Sequence, residues 1–223
     1  ELPVEDTSNK KSPDGRVAVI GMACRFPGNI SSPGELWLQL LDGFDATESM
    51  PDRWDVEALY SAEQNCLGKM SVKRGGFINN VENFDAGFFA MTPREAVSLD
   101  PQQRLLMEVV WKLFEDAGVI PADLNGSATG VFIGSTANDY REMLAEQARE
   151  SGLDAYYVTG NTASAAAGRI SHLYGFNGPS IALDTACSSS LAAVHTACRS
   201  LRSGESSLAI AAVGRAAMEM VKE

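Results

Sequence analysis

The sequence predicts an α/β layered fold with a largely buried sheet, and three observations predict it. Short, β-branched apolar runs alternate along the chain with segments of helical periodicity. Those runs are apolar throughout rather than at every second residue, as strands covered on both faces are. The chain's 223 residues, 45% apolar and 8% aromatic, supply the core that such layers need, which excludes global disorder and a small disulfide scaffold.

Taken in order, residues 1–15 are polar, with Pro3, Pro13 and a Lys10–Lys11 pair, and read as a linker or disordered tail. The body of the domain is expected over 16–213. Its first strand is expected at 16–23, in the run Val17-Ala-Val-Ile-Gly-Met-Ala23. Ser32, Pro33 and Glu35 place a hydroxyl at N-cap, proline at N1 and a carboxylate at N3, so a helix starts there; Trp37, Leu40 and Leu41 follow at helical spacing up to Gly43. Residues 44–92 carry two proline- and glycine-rich breaks and scattered aromatics, which predicts a long irregular excursion with short helices. Asp100 caps the next helix, Pro101 fits N1, and Leu105, Leu106, Val109, Val110, Leu113, Phe114 and Ala117 trace a core face up to Gly118.

The second strand is expected at 129–134, an exposed charged helix at 138–150, and a small-residue helix at 163–174. A third buried strand follows at 180–184 and a helix at 188–203, with Leu191, Val194, Cys198 and Leu201 on one stripe and Gly204 at its end. The fourth strand is expected at 207–213, and 214–223 reads as an atypical, charged and helix-prone tail.

Eighteen basic against twenty-nine acidic residues give a net charge of −11, which repels phosphate backbones and anionic lipid. Nucleic acid is not expected as a partner, nor is a membrane, because no apolar run approaches the ~18 residues of a span and no basic-then-apolar leader is present. Cys24, Cys66, Cys187 and Cys198 form no C-x-x-C pair, and with only His172 and His195 no metal site is expected. Free thiols fit a cytoplasmic chain. The first residue is Glu1, as in an excerpt or a processed product.

The most informative stretch is Gly178-Pro-Ser-Ile-Ala-Leu-Asp-Thr-Ala-Cys-Ser-Ser-Ser-Leu191. A buried strand ends in it and a helix starts at or just after Cys187, so a thiol stands at a helix N-terminus. Unpaired N–H groups and the positive end of the helix dipole favour the thiolate there, the setting of an acyl-accepting nucleophile. The other reading is a small buried hydrophobe. Cys198, eleven residues on in mid-helix, reads as packing alone, as do Cys24 and Cys66. His195 lies roughly 12 Å along the same helix from Cys187, beyond hydrogen-bond reach, and reads as packed or capped. His172 is a poor candidate for its partner.

Six motifs in order carry a resemblance: Val19-Ile-Gly-Met-Ala-Cys-Arg-Phe-Pro27, Arg74-Gly-Gly-Phe77, Phe84-Asp-Ala-Gly-Phe-Phe89, Asp100-Pro-Gln-Gln-Arg-Leu-Leu106, Gly130-Val-Phe-Ile-Gly134 and Asp184-Thr-Ala-Cys-Ser-Ser-Ser-Leu191. From about Val17 to Val213 the chain resembles the N-terminal half of a β-ketoacyl synthase domain of modular or iterative polyketide synthases. The resemblance implies a thiolase-like layered fold, the N-terminal half of an αβαβα domain, and a homodimer. It also implies that Cys187 is the catalytic cysteine. In the family this residue takes an acyl chain from a phosphopantetheine thioester, and a malonyl-type extender then loses carbon dioxide and attacks the acyl-cysteine.

The same resemblance implies an acyl carrier protein as partner, bearing the acyl and malonyl-type thioesters on its phosphopantetheine, with no cofactor bound directly. The family's two catalytic histidines, its lysine and the loop completing its oxyanion hole belong to the C-terminal half, and neither His172 nor His195 stands at a matching position. A condensing acyltransferase needing that missing half is therefore expected, the alternative being a catalytically inactive dimerising or regulatory module. Without the other half, the apolar surface built from the 187–203 helix and its neighbours is expected to lie open. Carriers are usually acidic, so docking calls for a basic cluster: Lys69, Lys73 and Arg74, or Arg199 and Arg202.

Overall fold

The structure is a computed structural model and describes residues 15–52, 54–63, 65–136, 139–152 and 154–214. Of the tail expected at 1–15, residues 1–14 lie outside the described residues. Of the tail expected at 214–223, residues 215–223 also lie outside them, while Gly214 belongs to the last strand.

The elements run α1 (Pro33–Asp42), β1 (Thr47–Ser49), α2 (Val56–Leu59), β2 (Arg74–Gly76), α3 (Pro93–Ser98) and α4 (Pro101–Ala117). They continue with β3 (Thr129–Ser135), α5 (Asp139–Ser151), α6 (Tyr157–Asn161), α7 (Ala163–Tyr174), β4 (Ser180–Leu183), α8 (Ser189–Ser203) and β5 (Leu208–Gly214). Local chemistry fixes the ends. Ser32 accepts the Glu35 N–H and Asp100 accepts the Gln102 N–H, while Gly43, Gly118, Gly175 and Gly204 close α1, α4, α7 and α8 in the left-handed conformation. Within the excursion, β1 and β2 form an antiparallel pair with Thr47 opposite Gly76.

The main sheet has the order β4-β3-β5, with both pairings parallel. Register sets Val131 beside Ser180 and Ile210, and Gly134 beside Leu183 and Val213. Central β3 is buried from Thr129 to Gly134, and its side chains alternate between two cores. Val131 and Ile133 pack with Leu106, Val110 and Phe114 of α4, Ala166, Ala167 and Ile170 of α7, and Ile210. Phe132 points the other way, onto Ala193 and Ala197 of α8. The result is a helix–sheet–helix sandwich, with a further cluster of Phe89, Met91, Ala96, Leu99 and Met107 beneath the excursion.

Three expectations are corrected. The run 16–23 forms no strand, and Val19 (78%), Ile20 (55%) and Met22 (59%) are exposed. A ladder needs a neighbour, and no described strand lies beside this run. It passes instead over helix ends: the Gly15 carbonyl accepts from Arg202 Nε of α8 at 2.9 Å, and the Met22 N–H donates to Asp116 Oδ2 of α4 at 2.8 Å. On α8 the buried stripe is Ser189, Ala193, Ala197 and Ser200, not the larger residues; Leu191 (74%) and Val194 (48%) face outward. Small side chains bring this helix close to the sheet, so the apolar stripe read from the sequence is its outer face. Finally, β4 is an edge strand, which leaves Ser180 and Ile181 exposed where burial on both faces was expected.

Candidate functional site

The chain returns antiparallel from each helix to the strand after it, from α4 to β3 through residues 118–128, which include a 3-10 turn, and by short connections from α7 to β4 and from α8 to β5. The N-termini of these three helices therefore gather at the C-terminal end of the parallel sheet, where open α/β sheets bind ligands. Cys187 stands there. His172 is on the last turn of α7, at the opposite end of the sheet.

Between β4 and α8 the chain makes a tight turn in which residues 186–188 form one 3-10 turn and Ser188 is the N-cap of α8. Cys187 thus precedes the cap by one residue, and Thr185, Ala186, Cys187 and Ser188 are all exposed. Ala186 has φ +53°, in the left-handed region that an L side chain disfavours. Side chains hold it. Asp184 Oδ1 accepts the Ala186 N–H at 2.9 Å; Ser189 Oγ accepts the Thr185 N–H at 3.0 Å and donates to the Ala186 carbonyl at 2.7 Å. Ser188 Oγ donates to the Thr185 carbonyl at 2.7 Å. From sequence, the three serines are only small residues that leave the sulfur uncrowded. In the structure Ser189 is buried and works as a clamp, and the four-residue step from Thr185 to Ser189 is the signal that could have revealed it.

The remaining candidates separate from this turn. Cys198 and Cys24 are half-buried, in keeping with packing, and burial, then the Glu35 charge, pushes the Cys24 thiol up. Cys66 is exposed, which corrects its reading as a packed residue, since it lies on the excursion beside fully exposed Leu67. His195 is exposed on α8, a correction to the packed or capped position expected for it, because only the small-residue stripe of that helix meets the sheet. Of the basic residues considered for docking, Lys73 lies 3.6 Å from Glu57 and over the Tyr60 ring, and Lys69 donates to the Ala58 carbonyl. Arg74 donates to the Thr47 carbonyl at 2.7 Å and Arg202 to that of Gly15, while Arg199 is exposed.

Across the sheet at the same end, a polar buttress joins α3, α4 and α6. The Asp100 N–H donates to the Gly160 carbonyl at 3.0 Å, and Gln103 Nε2 donates to Gly160 O at 3.1 Å and Thr162 O at 3.3 Å. Asn161 Nδ2 donates to the carbonyls of Ser98 at 2.9 Å and Tyr157 at 2.8 Å. Burial pushes the Asp100 carboxyl above its ordinary value, against the hydrogen bonds from Gln102 and the charge of Arg104. Arg25, from the first motif, pairs with Glu108 of α4 at 3.0 Å and donates to the Asn79 carbonyl at 2.8 Å. Several of the motifs in the sequence are thus structural ties around one sheet.

A parallel sheet between helix layers, with a cysteine on the turn that leaves an edge strand, makes an α/β layered domain, and its likeness to solved ketosynthase domains makes it thiolase-like. Residues 14–222 match the family model described as Beta-ketoacyl synthase, N-terminal domain, and the chain belongs to that family. It is 50% identical over 196 residues to a phenolphthiocerol/phthiocerol polyketide synthase protein of Mycobacterium tuberculosis (strain CDC 1551 / Oshkosh), covering 87% of this chain and 11% of that protein. To Polyketide synthase GfsB of Streptomyces halstedii it is 48% identical over 200 residues, covering 89% and 4%. Among solved structures, the oxazolomycin ketosynthase domain OzmH KS7 of Streptomyces albus JA3453 superposes with TM-score 0.81 at 38% identity, covering 88% of this chain and 34% of that one. The ketosynthase from module 6 of the bacillaene synthase of Bacillus subtilis 168 gives TM-score 0.75 at 33% identity, covering 89% and 32%. The chain spans about a tenth or less of these curated relatives and about a third of the solved domains.

Proposed function

We propose that this chain is the nucleophile-bearing half of a β-ketoacyl synthase and that Cys187 is its acyl acceptor. The observation that carries the reading is the exposed position of Cys187 on the β4–α8 turn, within the motif Asp184-Thr-Ala-Cys-Ser-Ser-Ser-Leu191 of a chain that belongs to this family. Cys187 Sγ attacks the carbonyl carbon of an acyl thioester, the bond from that carbon to the pantetheine sulfur breaks, and the pantetheine thiol leaves with the proton. In the condensation, a malonyl-type extender loses carbon dioxide. The electron pair released attacks the acyl carbon, and Cys187 leaves as thiolate.

The acyl and extender thioesters would be carried on the phosphopantetheine of an acyl carrier protein, and the domain would work as a homodimer with residues 16–213 as the body of this half. The catalytic histidines come, in this reading, from the C-terminal half of the domain, so condensation is proposed for the chain joined to that half. Acyl transfer to Cys187 is the step this chain's own residues perform. Among the described residues no helix is long and apolar enough to cross a membrane.

The test is acylation of the full chain by a short acyl carrier-protein thioester, followed by intact and peptide mass spectrometry. One acyl group on Cys187, absent after Cys187→Ala, is the expected result. Labelling that persists in that variant, or that never forms, overturns the assignment.

A further inference from the structure

We infer that Ser189 is a positioning residue for the Cys187 thiol, acting by holding Ala186 in its left-handed conformation. The inference rests on the reading of Cys187 as acyl acceptor and names what keeps that sulfur in place. Released from its contacts, an alanine leaves this region of backbone space by about tenfold. The peptide planes on either side of Ala186 would then rotate, and Cys187 Sγ would be carried away from its place ahead of α8.

Both polar backbone groups of Ala186 are gripped by side chains. Its N–H donates to Asp184 Oδ1 at 2.9 Å, and its carbonyl accepts the Ser189 hydroxyl at 2.7 Å. The same Ser189 oxygen accepts the Thr185 N–H at 3.0 Å, so one hydroxyl spans the strained residue. Ser189 is itself fixed from behind. It is 2% exposed, and Gly134 of β3 lies so close that a Cβ there would sit 2.8 Å from the Ser189 carbonyl carbon. Asp184 is exposed and has no such backing, which makes it the weaker of the two holds.

The experiment follows iodoacetamide alkylation of each cysteine by peptide mass spectrometry from neutral to alkaline pH in the full chain, comparing wild type, Ser189→Ala, Asp184→Ala, and each combined with Ala186→Gly. Glycine takes a positive φ without penalty, so it separates a backbone hold from simple packing. Ser189→Ala should slow Cys187 at neutral pH by about tenfold and Asp184→Ala by about threefold, with Cys66 and Cys198 unchanged. Adding Ala186→Gly should restore each to within about twofold.

A rate that Ser189→Ala leaves unchanged overturns the inference, and so does a loss that Ala186→Gly fails to recover. Should Ser189→Ala unfold the chain, seen as faster labelling of half-buried Cys198, the Asp184 pair decides by the same criterion. The outcomes also separate this inference from the acyl-acceptor reading. If Cys187 in the wild type labels no faster than exposed Cys66, it is the reading of Cys187 as an acyl acceptor activated at the helix N-terminus that falls.

Discussion

Gly134 and Ser189 meet where no side chain could stand between them: a Cβ on Gly134 would lie 2.8 Å from the Ser189 carbonyl carbon, 2.8 Å from its Cβ and 2.9 Å from its carbonyl oxygen. The first of these residues ends the buried run of β3, and the second opens α8 two residues after Cys187. The contact therefore sets how closely the helix behind the thiol approaches the centre of the sheet. It is the bridge between fold and site, because the same Ser189 hydroxyl grips the turn.

Gly134→Ala should then damage both. Two of the neighbouring atoms are backbone and the third is a Cβ fixed to it, none of which can yield as the end of a flexible side chain would, so the N-terminus of α8 must move, at a cost of about 1–3 kcal/mol. The thermal midpoint should fall by roughly 3–10 °C, with slower alkylation of Cys187. Gly168→Ala is the matched control. Gly168 lies within α7 and is exposed, and among the described residues a Cβ there would meet nothing within 4 Å beyond the adjoining backbone of its own helix. Removing a helical glycine there should stabilise by about 0.5–1 kcal/mol. A melt in which the two substitutions shift alike would refute the steric account.

Much of this was legible from sequence where local chemistry decides it. The caps of α1 and α4, the extent of α7 and the turn carrying Cys187 follow from hydroxyl, proline and glycine positions that act within a few residues. What depends on neighbours distant in the chain was not. The 16–23 run has strand composition but no described strand beside it, and the face of α8 that meets the sheet was chosen by closeness of approach, not by residue size. The short helices α3 and α6 carry too few residues to show a period, and they are held by the Gly160 and Asn161 contacts to the α3–α4 junction. At the candidate site, the turn that carries Cys187 was readable from its position and its motif. The clamp was missed, because the four-residue step from Thr185 to Ser189 becomes a clamp only once Ala186 takes its left-handed conformation, which composition does not reveal.

Tyr174 offers a test of the core beneath the sheet. Its ring packs edge-on against Phe114 at 5.0 Å and stacks on Phe176 at 5.6 Å, while its hydroxyl is closed off from solvent without a hydrogen-bond partner among the described residues. Burial pushes that phenol up to about 12. Tyr174→Phe keeps the ring contacts and removes the desolvated hydroxyl, so it should stabilise by up to about 1 kcal/mol and raise the thermal midpoint by up to about 3 °C. A lower midpoint in the phenylalanine variant would show that the hydroxyl is hydrogen-bonded in solution.

Asp100 predicts a pH dependence whose sign is the reverse of that for a salt-bridged carboxylate. It is 5% exposed, and burial raises its carboxyl above the ordinary 3.8, outweighing the Gln102 hydrogen bonds and the Arg104 charge. Below about 3.8 the carboxyl is protonated in both folded and unfolded chains and costs nothing. Between that value and the raised folded one, the folded chain binds more protons than the unfolded chain, so rising pH lowers stability through this window. Above the folded value the loss is complete and constant. Asn caps a helix as well as Asp does and cannot ionise, so Asp100→Asn removes the penalty and keeps the cap. The variant should melt with wild type in acid and above it at neutral pH, the gap opening as pH climbs past 3.8. Thermal melts across that range decide it: a gap that closes as pH rises, or a variant less stable than wild type at neutral pH, would mean that Arg104 and the Gln102 contacts more than compensate the buried charge.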